Sequence, residues 1–274
     1  SHGMPYPQSF EMVKEIEKII KDEGAQPATL AVLDGKIQIG LDPEVLAAFA
    51  KMKSVEKVSS SNLDSTIFSK KPGGTTVSGS LRICKLASIP VFVTGGIGGV
   101  HRDVSESMDV SADLQAIKDS EIITVCAGPK TILDISKTYE FLETLSIPLF
   151  SYRQKNLPAF WYRDTGLQST LRIESPEAIA KIFSIATSTD SSKGLLLCNP
   201  IQKKYSLDEL YLEPLILNGI NELKKANITG KKLTPRLLSY LVKKTNGKTL
   251  LSNIELVKNN ALLGAKVAKA LNIG

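Results

Sequence analysis

The chain has 274 residues, of which 42% are hydrophobic and 23% are charged, values typical of a folded globular protein and unlike those of disordered or fibrous chains. Lys and Arg outnumber Asp and Glu by 34 to 28, which gives a net charge of +6. The main basic run, residues 221–244, lacks closely interleaved aromatic residues, so it favours a solvated helix face over a nucleic-acid surface. A mildly basic chain also suits a small phosphorylated substrate.

The cysteines and the apolar segments indicate the compartment. Cys84, Cys126 and Cys198 are far apart and lie in apolar runs, which favours reduced thiols in a core. No segment approaches the roughly 18 apolar residues of a membrane span, and the start lacks the pattern of a secretory signal. We therefore expect a soluble, cytoplasmic protein, while an organellar address upstream of the first residue stays open.

The first part of the chain predicts a helix, a hairpin and a second helix. Pro7 suits the first turn of a helix that runs to about Asp22. Two apolar strands then flank Asp34-Gly35, a strong signal for a β-hairpin. Asp42 precedes a proline and is typical of a helix cap.

Strands and helices alternate through the rest of the chain. The pattern predicts strands over 90–96, 121–128, 147–152 and 194–200, helices over 111–120, 129–145 and 175–187, and three final helices between about 207 and 271. This alternation indicates an α/β fold in a single domain spanning 1–274, with three α/β/α layers, a largely parallel mixed central sheet and the added hairpin. Ligands in such folds bind beyond the carboxyl ends of the strands.

A glycine-rich loop follows the strand that ends near Thr94. Four glycines in five positions allow either a tight turn or close approach of a ligand, but their spacing matches neither a dinucleotide motif nor a P-loop. His101 follows, and it is either structural or ligand-facing. Ser111 predicts a helix cap with Asp113 in the first turn. Asp109 and Asp113 are equally consistent with a hard divalent cation held mainly through water.

Lys130 is the strongest candidate for a reactive group. Pro129 predicts the first position of a helix, which places the neighbouring Lys130 amine near the positive helix end. That end contributes about 0.3 to 1 kcal/mol, less than the 1.36 kcal/mol of one pKa unit, so it cannot by itself deprotonate the lysine. Burial or a second cation would have to contribute. Lys130 is therefore either a Schiff-base nucleophile or an ordinary exposed lysine.

Other segments give weaker signals. Lys57 precedes a serine-rich turn, and the glycines and threonines of 73–76 precede a helix start, both reasonable places for a phosphate. The aromatic segment 157–163 favours a packed hairpin over a base-stacking surface. Asn253 and Asn259 interrupt an apolar helix, and each needs a partner from the protein or from a ligand.

Together these segments resemble the pseudouridine-5'-phosphate glycosidases, also called the indigoidine synthase A-like family. The similarity runs from the first residue to about Ala265, through the ordered motifs SHGMPYPQ, PATLAVLDGKIQIGL, KVS, GGTTV, TGGIGGVHR, MDVSADL, CAGPKTILD, LPAF, NPI and SNIELVKNNA. The resemblance implies the indigoidine synthase A-like fold and cleavage of pseudouridine 5'-phosphate to uracil and ribose 5-phosphate in nucleotide catabolism. It also implies a manganese ion, a homotrimer and, in some relatives, fusion to a sugar-kinase domain.

The resemblance also implies roles for particular residues. Lys130 matches the lysine that forms a covalent adduct with the anomeric carbon of the sugar, and Asp109 matches the metal-binding aspartate. His2 lies in the motif SHGMPYPQ, so it is a site-lining residue and not the remnant of a cleaved affinity tag. The remaining matched positions bind substrate or line the active site: Lys57, Val77, Thr94, His101, Ser111, Ala112, Asp113 and Asn253.

The chain departs from the family pattern at its start. The family's proton donor is a glutamate just before the SHGMPYPQ motif, and the printed sequence begins at that motif. We therefore expect a domain that lacks its N-terminal strand and turns over substrate poorly. Two alternatives stand beside the glycosidase: another Schiff-base aldolase or lyase acting on a sugar phosphate, and a catalytically impaired binding subunit.

Overall fold

A computed structural model describes residues 6–189, 191, 193–228 and 233–272, so His2 lies outside the described residues. The strands are β1 (Leu30–Leu33), β2 (Lys36–Ile39), β3 (Glu56–Val58), β4 (Gly73–Thr75), β5 (Val91–Val93), β6 (Ile123–Cys126), β7 (Leu149–Tyr152), β8 (Leu171–Ile173) and β9 (Leu195–Cys198). The α-helices are α1 (Gln8–Asp22), α2 (Pro43–Lys51), α3 (Leu63–Phe68), α4 (Val77–Leu86), α5 (Val104–Ser107), α6 (Ala112–Ser120), α7 (Ile135–Thr144), α8 (Pro176–Ser188), α9 (Glu209–Lys225), α10 (Leu233–Lys244) and α11 (Lys248–Asn272).

Five parallel strands form the central sheet in the order β5-β6-β9-β7-β8. Successive side chains of β6 point to opposite faces of this sheet. Ile123 and Val125 pack with Leu263 and Val267 of α11, whereas Cys126 packs with residues of α4, α6 and α7. All residues of β6 and β9 are buried, as expected for strands covered by helices on both faces. The predicted three-layer α/β/α fold is confirmed.

The predicted hairpin forms, but it belongs to a second sheet. Leu30 pairs with Ile39, and Asp34 and Gly35 have φ values of 50° and 73°, which a two-residue hairpin turn requires. This sheet has the order β2-β1-β4-β3, with only β3 and β4 parallel. The sequence pattern does not predict β3 and β4, because three-residue strands with adjacent glycines carry no apolar alternation. The mixed pairing expected for the central sheet therefore lies in the second sheet.

The segment that carries Lys130 is a loop and not the first turn of a helix. The helix predicted from Pro129 begins later, at α7, where the Asp134 carboxylate accepts a hydrogen bond of 3.0 Å from the Lys137 amide. The Lys130 amide donates to the Ile97 carbonyl at 3.1 Å. Pairing with the glycine-rich loop thus replaces helical hydrogen bonding, and the predicted position of Lys130 at a helix terminus is wrong.

The other predicted helix starts agree with the structure. Pro7 lies directly before α1, and Asp42 directly before α2. Ser111 caps α6, where its hydroxyl accepts a hydrogen bond of 3.2 Å from the Asp113 amide. The three cysteines are buried and free, as predicted.

Helix α11 is 25 residues long and packs both against the central sheet and against other helices. It packs against β5 and β6 on one side and against α1 and α8 elsewhere along its length. Its first half carries Asn253. Across the described ranges no helix, α11 included, is long and apolar enough to cross a membrane.

Candidate active site

A cavity of about 860 Å³ is lined by residues that directly follow β3, β4 and β5 and by the loop after β6, which places it at the carboxyl ends of these strands. Each predicted site residue within the described ranges lines this cavity: Lys57, Val77, Thr94, His101, Asp109, Ser111, Ala112, Asp113, Lys130 and Asn253. The fold thus brings these residues together from separate parts of the chain, while their individual roles stay predictions.

Lys130 lies in the wall of the cavity. Part of its side chain is accessible, but the surrounding protein excludes most of the water around its amine. This burial lowers the pKa of Lys130 below its ordinary value of 10.5; the negative charge of Asp113 opposes the change, and the positive charge of Lys57 adds to it. A lysine amine attacks as the neutral base, so a lowered pKa favours a nucleophilic role. Burial is the largest cause and the second cation, Lys57, adds to it; these are the two contributions expected from the sequence beyond that of a helix terminus.

The Asp113 carboxylate joins two segments of the cavity wall. One of its oxygens accepts a hydrogen bond from the Ser78 amide at 2.9 Å, and the other accepts one from the Gly98 amide at 2.9 Å. Gly98 is needed there, because a Cβ atom would lie 2.3 Å from the Ser111 hydroxyl oxygen. Asp113 is only 6% exposed. Each of its two oxygens accepts a backbone hydrogen bond, so Asp113 holds the start of α4 and the glycine-rich loop together, and its negative charge acts on Lys130.

His101 and Asp109 form a separate polar group at the cavity. The His101 Nε2 atom lies 3.7 Å from an Asp109 carboxylate oxygen, and the Asp109 side chain is 41% exposed. Within the described residues no group of three or more His, Cys, Asp or Glu side chains is arranged to hold a metal ion. Mn²⁺ and Mg²⁺ prefer carboxylate and water oxygens, and Mg²⁺ commonly binds through one or two carboxylates with several waters. Asp109 therefore fits a hydrated divalent cation better than a dry, fully coordinated one.

The cavity wall includes Lys57 and several hydroxyl groups from the segments that follow β3 and β4. The start of α4 contributes little to an anion site, because the Ser78 amide donates to Asp113 and the Gly79 amide donates to the Thr76 hydroxyl. An anionic group here would instead meet the Lys57 amine and the side-chain hydroxyls of Ser59, Ser61, Thr75, Thr76, Ser78 and Ser80.

Another part of the wall is apolar and includes Phe160 and Val257. A Cβ atom on Gly96 would lie 2.5 Å from the Phe160 ring, so only glycine allows this close packing. Phe160 has a φ of 56°, a conformation that costs a bulky residue about 1–3 kcal/mol. The predicted packing role of the aromatic segment holds for Trp161, which is fully buried, whereas Phe160 reaches the cavity.

Sequence reasoning missed Arg102, which holds the loop that carries Lys130. Its guanidinium donates to the carbonyls of Thr131 at 3.0 Å and Ile132 at 3.1 Å, and it forms a two-point ion pair with Glu213 of α9. An arginine three residues after the last glycine of a glycine-rich loop is a visible signal. Its partner is 111 residues away, and no local pattern connects the two.

The parallel sheet and the cavity at its carboxyl edge define an α/β protein whose pocket wall combines a partly accessible lysine of lowered pKa with polar and apolar groups. The family model for indigoidine synthase A like protein matches residues 1–270. The chain belongs to this family, and the resemblance found in its motifs is confirmed.

Two relatives are named pseudouridine-5'-phosphate glycosidase. The protein from Staphylococcus aureus (strain MW2) is 45% identical over 272 residues, which is 99% of this chain and 89% of the relative. The protein from Petrotoga mobilis (strain DSM 10674 / SJ95) is also 45% identical, over 100% of this chain and 89% of the relative.

Two solved structures share the fold. The prealnumycin C-glycosynthase AlnA in complex with ribulose 5-phosphate superposes with a TM-score of 0.91 at 30% identity, covering 98% of this chain and 88% of that one. An indigoidine synthase A-like protein from Thermotoga maritima gives a TM-score of 0.90 at 34% identity, covering 97% and 88%.

Proposed function

We propose that this chain is a pseudouridine-5'-phosphate glycosidase, which cleaves the carbon–carbon glycosidic bond of its substrate and releases uracil and ribose 5-phosphate. The observation that carries the proposal is the partly buried Lys130 amine in a cavity whose wall also carries Lys57 with several hydroxyl groups and the apolar side chains of Phe160 and Val257. These surroundings suit a phosphate and a pyrimidine ring, respectively. The 45% identity to two glycosidases over nearly the whole chain supports the same activity.

A carbon leaving group explains the need for a lysine. Ordinary glycosidases expel a heteroatom with the help of two carboxyl groups. In the proposed reaction the neutral Lys130 amine bonds to the anomeric carbon as the bond to the ring oxygen breaks, and a proton passes from the amine nitrogen to that oxygen. The nitrogen lone pair then forms a C=N bond while the bond to uracil breaks, and uracil carbon 5 gains a proton from an acid. Water hydrolyses the resulting iminium, which frees ribose 5-phosphate and regenerates the lysine.

We further propose that Asp109 holds a manganese ion, with His101 beside it. Its partly exposed carboxylate supports this assignment. A bound divalent cation supplies positive charge to nearby substrate oxygens. The residues described above have separate tasks, since Lys57 and the hydroxyl groups bind the anionic end, Asp113 fixes the wall beside Lys130, and Lys130 forms the covalent bond.

Family membership supports two proposals about partners. We propose that the chain assembles as a homotrimer and acts alongside a sugar kinase that makes its substrate. Sedimentation velocity tests the first proposal, which requires a species with the mass of three chains.

Release of uracil from pseudouridine 5'-phosphate is the decisive experiment. Both the printed chain and a chain extended upstream to include the family glutamate are assayed by chromatography of the free base. Borohydride trapping alone does not discriminate, because an aldolase with a Schiff-base lysine is also trapped. Uracil release that disappears in Lys130→Ala supports the proposal. An extended chain that binds the substrate without releasing uracil favours the binding subunit instead.

A further inference from the structure

Trp161 and Asn253 form a hydrogen bond that fixes the orientation of the asparagine amide. The Trp161 Nε1 atom donates to the Asn253 Oδ1 atom at 2.6 Å. An indole N–H can only donate, and Trp161 is fully buried. Rotating the amide by 180° would bring its NH₂ group against this N–H and leave a buried donor without an acceptor, which is unfavourable. The indole therefore determines which end of the amide is the oxygen.

The other end of the same amide is available to a ligand. The Asn253 side chain lines the cavity, and its Nδ2 atom has no hydrogen-bond acceptor among the described residues. In the same ranges, the fully buried side-chain polar atoms without a partner are the hydroxyl oxygens of Thr124 and Tyr162. Asn253 Nδ2 is not among them, so it is accessible, and its two N–H groups are free to donate to a ligand in the cavity that this residue lines.

The neighbours of Asn253 indicate what these donors meet. Val257 lies one turn further along α11, and Phe160 precedes Trp161; both line the apolar part of the cavity. A flat apolar wall with amide donors beside it suits the face and edge of a heterocycle that carries carbonyl oxygens. The part of the wall that contains Lys57 carries several hydroxyl groups instead.

We propose that Trp161 is a positioning residue that turns Asn253 so that its NH₂ group donates to a carbonyl oxygen of the pyrimidine ring. This inference rests on the proposed function. It adds one oriented hydrogen bond, which pseudouridine 5'-phosphate can accept through its base and ribose 5-phosphate cannot.

The test compares two ligands in a background that cannot turn over substrate. In Lys130→Met protein, calorimetry gives the dissociation constants of pseudouridine 5'-phosphate, which carries the base, and ribose 5-phosphate, which lacks it. Asn253→Asp keeps an oxygen for the Trp161 indole but replaces the free donor with an acceptor. Trp161→Phe removes the indole donor. Asn259→Asp makes the same chemical change on the same helix, at a residue that does not line the cavity, and is the control.

We expect Asn253→Asp to weaken binding of pseudouridine 5'-phosphate by about tenfold or more and binding of ribose 5-phosphate by less than about twofold. Trp161→Phe should change the ratio of the two constants in the same direction, whereas general damage to the fold would weaken both ligands alike. An unchanged ratio in Asn253→Asp overturns the hydrogen bond to the base. A changed ratio in Asn253→Asp with an unchanged ratio in Trp161→Phe overturns the positioning role. Failure of the parent protein to bind pseudouridine 5'-phosphate would overturn the proposed function and this inference together.

Discussion

Arg102, which follows the glycine-rich loop, forms a two-point ion pair with Glu213 of helix α9. The same guanidinium donates to two carbonyls of the loop that carries Lys130. Both side chains are partly buried, with 24% and 33% of their surface exposed. A planar guanidinium with five donors can make all of these contacts at once, which an ammonium group cannot. Arg102 therefore positions the Lys130 loop without lining the cavity.

Replacing Arg102 with lysine should slow the reaction of Lys130 with a sugar phosphate. The variant keeps the charge but loses the forked contacts, so the loop is held less accurately, and a displacement of about 1 Å can cost roughly 100-fold in rate. We expect the rate of borohydride trapping with ribose 5-phosphate to fall by about 10- to 100-fold while its binding constant changes little.

The neighbouring ion pair between Lys224 and Asp103 provides a matched control. It joins the same two segments at 3.1 Å but is more exposed, so its contribution is expected to be below about 1 kcal/mol. Lys224→Met should therefore leave the trapping rate within about twofold of the parent. Equal losses in both variants would show that α9 is held as a whole and that Arg102 has no special role.

Replacing Lys130 with methionine should stabilise the protein at neutral pH. Burial lowers the pKa of Lys130 below 10.5, so the unfolded chain binds the proton more tightly than the fold does. Keeping Lys130 protonated in the folded protein therefore lowers the free energy of unfolding. This loss is present in full below the pKa of Lys130 in the folded protein, decreases as the pH rises towards 10.5, and vanishes above 10.5. We expect the melting temperature of Lys130→Met to exceed that of the parent by several degrees at pH 7 and by less at pH 10.

An exposed lysine on α8 provides the comparison for this pH dependence. Lys181→Met removes a charge from the surface and should shift the melting temperature by a similar small amount at both pH values. If the gain in Lys130→Met were the same at pH 7 and pH 10, better packing of methionine would explain it, and the assignment of a lowered pKa would be wrong.

The sequence could predict the layers because those depend on local patterns, whereas most of the predicted cavity residues came from the resemblance of its motifs to a known family. Apolar runs, caps and the Asp34-Gly35 turn act over a few residues. The position of Lys130 depends instead on backbone pairing between its loop and the glycine-rich loop, which the signals for helix starts do not predict. The bonds from Arg102 to Glu213 and from Trp161 to Asn253 join residues 111 and 92 positions apart. A single sequence does not reveal such partners.

Replacing Asp113 with asparagine should change both the charge beside Lys130 and the backbone contacts of the wall. Without the negative charge that raises it, the pKa of Lys130 should fall further. The acidic limb of the trapping rate against pH should therefore move to lower pH. An amide also leaves one of the Ser78 and Gly98 amides without an acceptor, which costs about 1–3 kcal/mol.

The pH profile separates these two effects of Asp113→Asn. Loss of a backbone hydrogen bond lowers the melting temperature and the amplitude of trapping but does not move the titration of Lys130. If the acidic limb of the trapping rate stayed at the parental pH, Asp113 would act only through its hydrogen bonds to the backbone and not through its charge on Lys130.

Replacing Asp109 with asparagine should weaken manganese binding, which is measured without any turnover from the electron paramagnetic resonance signal of free Mn²⁺. Asp109 supplies the partly exposed carboxylate beside His101, and a neutral amide binds a hard cation less well. We expect the dissociation constant to rise by more than about tenfold, since even residues outside the ligand shell typically change metal affinity 10- to 100-fold. Asp119→Asn, on the exposed side of α6, removes the same charge away from the cavity and should leave the affinity unchanged. Equal weakening in both variants would mean that overall charge attracts the ion and that Asp109 does not bind it.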